Sequence, residues 1–235
     1  NGSITIDGSR IQCYHGSNHG YVDFKKSFAK SCNSSFANMS TKIDWNKFEK
    51  TLDKLSFGKT LPFAMETAVS NANASENMLI DEKMQTVIGQ GETLITPLHL
   101  NMITSAIANK GKLVEPYLLK SVKNNYGAVI KEFSSSGTSQ FMSEEEAAIL
   151  VGLMEEVVQK GTATKLLDKG YTAAGKTGSA EYNSNRDSHA WFTGFAPVDD
   201  PQICVTVIIE TAGSGGDYAV PMARRVFDAY FDKNN

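Results

Sequence analysis

No stretch of about eighteen consecutive apolar residues occurs anywhere in the 235 residues, so no segment is built to cross a bilayer as a helix. The first thirty or so residues also lack the charged-then-apolar order of an export signal. Cysteine is scarce: Cys13, Cys32 and Cys204 are an odd number, at spacings that match neither a disulfide framework nor a zinc-ligand pattern, so all three read as free thiols. Excess charge is absent as well. Twenty-three Lys+Arg against 26 Asp+Glu leave a net charge of −3, which gives no broad basic surface and argues against nucleic acid as a partner. Internal repeats and low-complexity tracts are missing, and with 41% hydrophobic and 21% charged residues the composition is that of a globular protein able to bury a sizeable core.

What is present is a succession of helix and strand signals. Residues 22–40 space Phe24, Phe28, Phe36 and Met39 in a helical rhythm broken by the small polar group at 31–35, which predicts a helix, a break and a second helix. Ile4, Ile6 and Ile11 stand in a Gly- and Ser-containing stretch that reads as short strand or loop at best. Thr96-Pro97 opens a helix, by hydroxyl cap and first-turn proline, and Gly111 stops it. Residues 118–122 and 129–133 flank Asn124-Asn125-Tyr126-Gly127 as a surface hairpin. Ser143 and Glu146 form a capping box ahead of an apolar stripe, Leu150, Leu153, Met154, Val157 and Val158, that ends near Gly161. Trp191–Phe195 and Ile203–Ile209 are strand-like and separated by a turn too short for a crossover helix, so they pair antiparallel. A last helix carries Val220, Ala223, Val226, Phe227 and Tyr230, and its apolar face needs a sheet to cover.

Two short clusters carry chemistry. Lys176-Thr177-Gly178-Ser179 lies just ahead of the strand pair and offers a positive charge, two hydroxyl donors and one residue without a side chain. On the edge of a sheet such a set can hold an extended peptide by strand addition, with its terminal carboxylate against the hydroxyls. Ser31-Cys32-Asn33 lies 145 positions earlier and supplies a second hydroxyl and a carboxamide. The histidines His15, His19, His99 and His189 are scattered without ligand spacing, and Glu144-Glu145-Glu146 is a helix start that exploits the dipole, not a paired acid and base.

With their flanks, these clusters resemble the transpeptidase domain of high-molecular-mass, class B-like penicillin-binding proteins. Ala174-Gly175-Lys176-Thr177-Gly178-Ser179-Ala180-Glu181, then Ala190-Trp191-Phe192-Thr193-Gly194-Phe195-Ala196-Pro197, carry the likeness, and Ser31–Ala37 and Gly89-Gln90-Gly91-Glu92 with Thr96-Pro97-Leu98 extend it in the family's order over residues 20–230. The resemblance implies an α/β fold: an antiparallel sheet of about five strands flanked by helices, with a mainly helical lobe over 20–113 and the sheet lobe over 114–235. It implies a peptidoglycan D,D-transpeptidase that cross-links wall peptides through a serine acyl-enzyme and is acylated by β-lactams, with no cofactor and no metal. Ser31, Asn33 and Lys176 would be its catalytic residues, and Thr177, Gly178 and Ser179 would bind substrate. The Ser179 backbone N–H would be half of an oxyanion hole. A D,D-carboxypeptidase or β-lactamase would use the same groups and hand the acyl unit to water, and a non-catalytic relative would only bind wall peptide or division partners. Implied partners are the stem peptide, β-lactams, the N-terminal part of the same protein and proteins of cell division or elongation. The implied location is the extracytoplasmic face of the bacterial membrane, with an anchor outside these residues.

One member of the family's set is absent. Its nucleophile sits in a Ser-x-x-Lys motif well upstream of Ser-x-Asn, and only 30 residues precede Ser31. Ser27-Phe28-Ala29-Lys30 lies too near Ser31 to face it across a cleft and reads as a solvated helix face. Ser56-Phe57-Gly58-Lys59 follows Ser31, and its glycine would weaken the helix that the motif opens. The opening Asn1-Gly2-Ser3 reads as the middle of a loop, so the expectation is an N-terminally truncated domain that cannot be acylated by itself.

Overall fold

Asp7-Gly8 is the residue pair that two-residue hairpins favour, because both central positions of such a turn need positive φ. In the structure, a computed structural model that describes residues 2–135, 137–168, 170–182 and 185–232, the two residues have φ of 46° and 85°. They join β1 (Ser3–Ile6) to β2 (Ser9–Gln12), where the isoleucine spacing suggested no more than a short strand or loop. The helix, break and helix follow as α1 (Phe24–Ala29) and α2 (Asn33–Met39). Asp23 starts α1 by accepting from the Lys26 backbone N–H. Asp44 does the same, from Lys47, for α3 (Trp45–Lys54), and α4 (Ile80–Thr86) comes after it.

Thr96 caps α5 (Pro97–Ala108), as its sequence predicts. Beyond it come four short strands, β3 (Lys112–Val114), β4 (Ser121–Lys123), β5 (Val129–Glu132) and β6 (Thr138–Gln140). They pair as β3 with β6 and β4 with β5. The Ser143–Glu146 capping box is present at the start of α6 (Glu144–Lys160). Then β7 (Ala174–Ala180), β8 (His189–Ala196) and β9 (Ile203–Ile209) form one antiparallel sheet in that order. A π-helical turn over Gly215–Ala219 leads into α7 (Val220–Asp232).

The sheet flanked by helices is therefore there, but among the described residues it has three strands where about five were expected. The β4–β5 ribbon is the surface hairpin that its sequence predicts, with all four residues of β5 exposed.

Period-two alternation divides the sheet between two cores. Ala190, Phe192 and Val205 pack with Val157, Val158 and Leu166 and with Val220 and Phe227 of α7. Phe195 and Ala174 face the other way, into Met102 and Ile107 of α5, Leu113 and Phe141. Helix α6 contributes to both. A buried hydroxyl chain crosses the second face, from Thr104 to Thr193 at 2.8 Å and on to Thr206 at 2.7 Å. Among the described residues the arrangement leaves β7 paired on one side only, at the rim where α1 and α6 come together. Among the described residues no helix is long and apolar enough to cross a membrane.

Candidate active site

Helix α1 stops at Ala29 because the chain turns left-handed at Ser31, whose φ is 52°. The turn is held by Ser31 N–H to the Phe28 carbonyl at 3.2 Å and Cys32 N–H to the Ser27 carbonyl at 2.9 Å. Asn33 then begins α2, and its side-chain amide donates to the Gln12 carbonyl at 3.1 Å.

Across from this turn stands β7. Lys176 projects from it and its ammonium donates to Ser31 Oγ and, at 2.9 Å, to the Thr177 carbonyl. The two clusters read from the sequence, 145 residues apart, thus meet through their polar ends. The Phe28 ring lies 5.6 Å from the same nitrogen. No carboxylate forms an ion pair with Lys176 among the described residues. Burial disfavours its charge and pushes its pKa from 10.5 down to about 8. A lysine so placed exchanges a proton close to neutral pH, which an exposed lysine does not do.

Thr177 and Ser179 lie on the opposite face of the strand from Lys176. The Thr177 hydroxyl shares a hydrogen bond with that of Thr162, and Ser179 Oγ accepts from the Gly215 backbone N–H at 3.2 Å. Ser179 therefore keeps its own O–H proton for another acceptor. Gly178 stands opposite Trp191 in the register, and a Cβ there would lie 3.2 Å from the Trp191 Cβ. Its lack of a side chain serves close cross-strand packing as well as access to the strand edge. Phe28 and Thr162 were not legible as site residues: one reads as helix core, and the other follows α6 in a stretch without a motif.

The two rejected Ser-x-x-Lys matches are engaged elsewhere. Ser27 is fully buried and not on a solvated helix face, contrary to its sequence reading. It donates to the Asp23 carbonyl at 2.6 Å and meets Ser35 Oγ at 2.8 Å. Ser56 sits in the turn after α3 with φ 71°, and Lys59 pairs with Asp53 at 2.7 Å.

The cysteines are unpaired, as their number and spacing suggested. All three are free thiols, but the fold brings the ligand atoms of Cys13, His19 and Cys32 within 4.8 Å of one another, a cluster that their sequence spacing did not suggest.

Comparison with known proteins identifies the family of the fold. The family model described as the penicillin binding protein transpeptidase domain matches residues 2–228. The chain is 31% identical over 220 residues to the peptidoglycan D,D-transpeptidase PbpA of Mycolicibacterium smegmatis, covering 88% of this chain and 44% of that protein. Among solved structures it resembles the D,D-transpeptidase domain of a peptidoglycan glycosyltransferase from Eggerthella lenta, with a TM-score of 0.88, 25% identity and coverage of 100% of this chain and 59% of that one. It also resembles penicillin-binding protein A of Mycobacterium tuberculosis as its penicillin G acyl-enzyme, with a TM-score of 0.84, 27% identity and coverage of 98% and 54%. The chain spans less than half the length of the curated relatives it matches. With its Ser-x-Asn turn facing its Lys-Thr-Gly strand on this fold, the chain belongs to the penicillin-binding protein transpeptidase family.

Proposed function

We propose that this chain supplies two walls of the cleft of a peptidoglycan D,D-transpeptidase, which cross-links wall peptides through a serine acyl-enzyme and is acylated by β-lactams. The observation that carries the reading is the hydrogen bond from Lys176 to Ser31, near the start of a strand whose outer edge is unpaired among the described residues. The nucleophile, a serine in Ser-x-x-Lys, comes from a part of the protein outside these residues, so the 235 residues are not acylated alone.

In this mechanism the attacking hydroxyl forms a bond to the penultimate carbonyl of a D-alanyl-D-alanine peptide and gives its proton to its lysine neighbour. The C–N bond breaks, the terminal D-alanine leaves as an amine carrying that proton, and the amine of a second stem peptide then displaces the serine oxygen. Ser31 and Lys176 form the proton relay beside the nucleophile, and the positive charge of Lys176 helps to keep a neighbouring lysine neutral and able to act as a base. Asn33, oriented by the Gln12 carbonyl, positions the peptide amide. Thr177, Gly178 and Ser179 receive the carboxylate end along the strand, with the Ser179 hydroxyl donating to it and its backbone N–H forming half of the oxyanion hole. The lobes 20–113 and 114–235 meet at this cleft. The work is done on the outer face of the bacterial membrane, where wall peptide is found, and division or elongation proteins are its macromolecular partners.

The test is Lys176→Ala in the whole protein, followed by stopped-time labelling with a fluorescent penicillin. Acylation should slow by about 100-fold or more, the scale of a lost proton-transfer group, while the circular-dichroism melt stays cooperative. An unchanged acylation rate would remove Lys176 from the mechanism.

A further inference from the structure

Beyond Ala180, where β7 ends, the chain turns back toward β8, and a cavity of about 570 Å³ opens among Asn185, Arg186, Asp187 and Thr211. The volume is that of a small-ligand site, and none of its residues belongs to the proton relay or the carboxylate cradle. Its frame is fixed. Ser188 is buried, its carbonyl accepts from the Ala212 and Gly213 N–H groups at 3.1 and 2.8 Å, and its hydroxyl donates to the Gly213 carbonyl at 2.9 Å. Thr211, left-handed with φ 53°, donates its N–H to His189 Nδ1 at 3.0 Å. The Tyr182 ring stacks on His189 with centroids 4.0 Å apart, and its hydroxyl meets Thr211 Oγ1 at 2.7 Å. The segment before β8 and the segment after β9 are thus tied together around the cavity.

Arg186 and Asp187 stand side by side on this anchored segment with opposite charges, and among the described residues neither forms an ion pair. Such a wall matches a group that carries both signs. A guanidinium takes a carboxylate through two parallel N–H bonds, and a carboxylate accepts from an ammonium. A lone ammonium would be drawn to Asp187 and repelled by Arg186, and a lone carboxylate the reverse.

The strand decides which part of a bound peptide comes here. On the transpeptidase reading, on which this inference rests, the carboxylate end of the donor peptide lies at Thr177 and the carbonyl under attack at the Ser179 N–H. The peptide therefore runs antiparallel to β7, and its earlier residues continue past Ala180 toward Tyr182. An extended chain advances about 3.4 Å per residue, so the residue before the D-alanyl-D-alanine pair lies level with Ala180, whose partner in the sheet is His189. A side chain of several carbons adds about 6 Å, in the direction of the connection that holds Arg186 and Asp187.

We propose that this cavity is the subsite for the residue preceding the D-alanyl-D-alanine pair of the donor peptide, and that it selects a diamino acid whose side chain ends in both an ammonium and a carboxylate. Arg186 holds the carboxylate and Asp187 the ammonium. The exposed Tyr182 ring, stacked on His189, offers apolar surface to the methylene groups between them and the peptide backbone. No bond is made or broken at the subsite, which acts on the choice of peptide and on its register along β7.

Penicillins can carry the distinguishing group on their acyl side chain, in the place of that residue. In the whole protein, a penicillin whose side chain ends in ammonium and carboxylate should acylate about 10-fold faster than one of equal length ending in the ammonium alone, followed by intact-mass spectrometry. Arg186→Gln should bring the ratio of the two rates to about 1, and Arg186→Lys, which keeps the charge but loses the fork, should leave it between these limits. Asp187→Asn should remove the advantage over a third penicillin that ends in the carboxylate alone. Each result is a ratio within one protein, so a general loss of folding or reactivity cancels. Equal rates in the parent, or a ratio that Arg186→Gln leaves untouched, overturns the subsite while the transpeptidase reading stands. A whole protein that no penicillin acylates removes that reading, and the subsite with it.

Discussion

Lys176 is held between opposing demands: burial disfavours its charge, while Ser31 Oγ and the Thr177 carbonyl accept hydrogen bonds from it. Burial wins, and the pKa falls to about 8. The sign of the consequence for stability follows from linkage. Between pH 8 and 10.5 the unfolded chain holds the proton that the folded chain has lost, so this residue's contribution to stability rises with pH through that window and is flat below it. Lys176→Met removes the titration. Its denaturant midpoint relative to the parent should therefore be most favourable at pH 7 and should decline steadily to pH 10, and a difference independent of pH would refute the depressed pKa. The pairing of Lys176 with Ser31 was legible because both short motifs are written contiguously in the chain. The Cys13, His19 and Cys32 cluster was not, since its members are 6 and 13 residues apart on irregular backbone and only the packing of the hairpin on α2 brings them together.

At the scale of elements, the helices with written caps were the readable ones. Ser143 and Glu146 exchange both hydrogen bonds of a capping box, and α6 runs to Lys160 with Gly161 after it, as the stripe of Leu153, Met154, Val157 and Val158 requires. Ser143→Ala should cost about 1 kcal/mol and lower the melting temperature by about 2–4 °C for a chain of this size. A melt unchanged by the substitution would mean that packing alone sets the helix start. The β1–β2 hairpin carried the stronger signal, Asp7-Gly8, but its flanking isoleucines are too few to show an alternating face. The β4–β5 hairpin was readable for the same reason, since turn residues stand between two extended runs, and among the described residues its strands pair with each other at the surface. Gly215 shows the opposite limit. A Cβ there would come within 2.4 Å of the Gly178 and Trp191 carbonyls, so the entry to α7 lies directly on the sheet, a contact that no local pattern announces.

For the molecule as a whole, the two cores on either side of the sheet are joined at the site through Phe28, which packs against both. The same ring lies 5.6 Å from the Lys176 nitrogen. Its loss therefore acts on stability and on the site together. Phe28→Ala should destabilise the fold by about 3 kcal/mol, as large-to-small core substitutions do. Its effect on Lys176 depends on which of two influences is larger. The ring face favours the ammonium by about 0.5–2 kcal/mol, so its removal alone would lower the pKa further. Admitting water reverses the desolvation that took the pKa from 10.5 to about 8, and at about 1.4 kcal/mol per unit that is the larger influence. The pKa of Lys176 should thus rise toward 10 in Phe28→Ala, measured by nitrogen NMR of the lysine side chains and assigned by comparison with Lys176→Met. Phe28→Leu, which keeps most of the apolar volume, should leave the pKa near 8. A Phe28→Ala variant whose Lys176 still titrates near 8 would show that Phe28 is not what shields the lysine, and the site would then be independent of the joint between the cores.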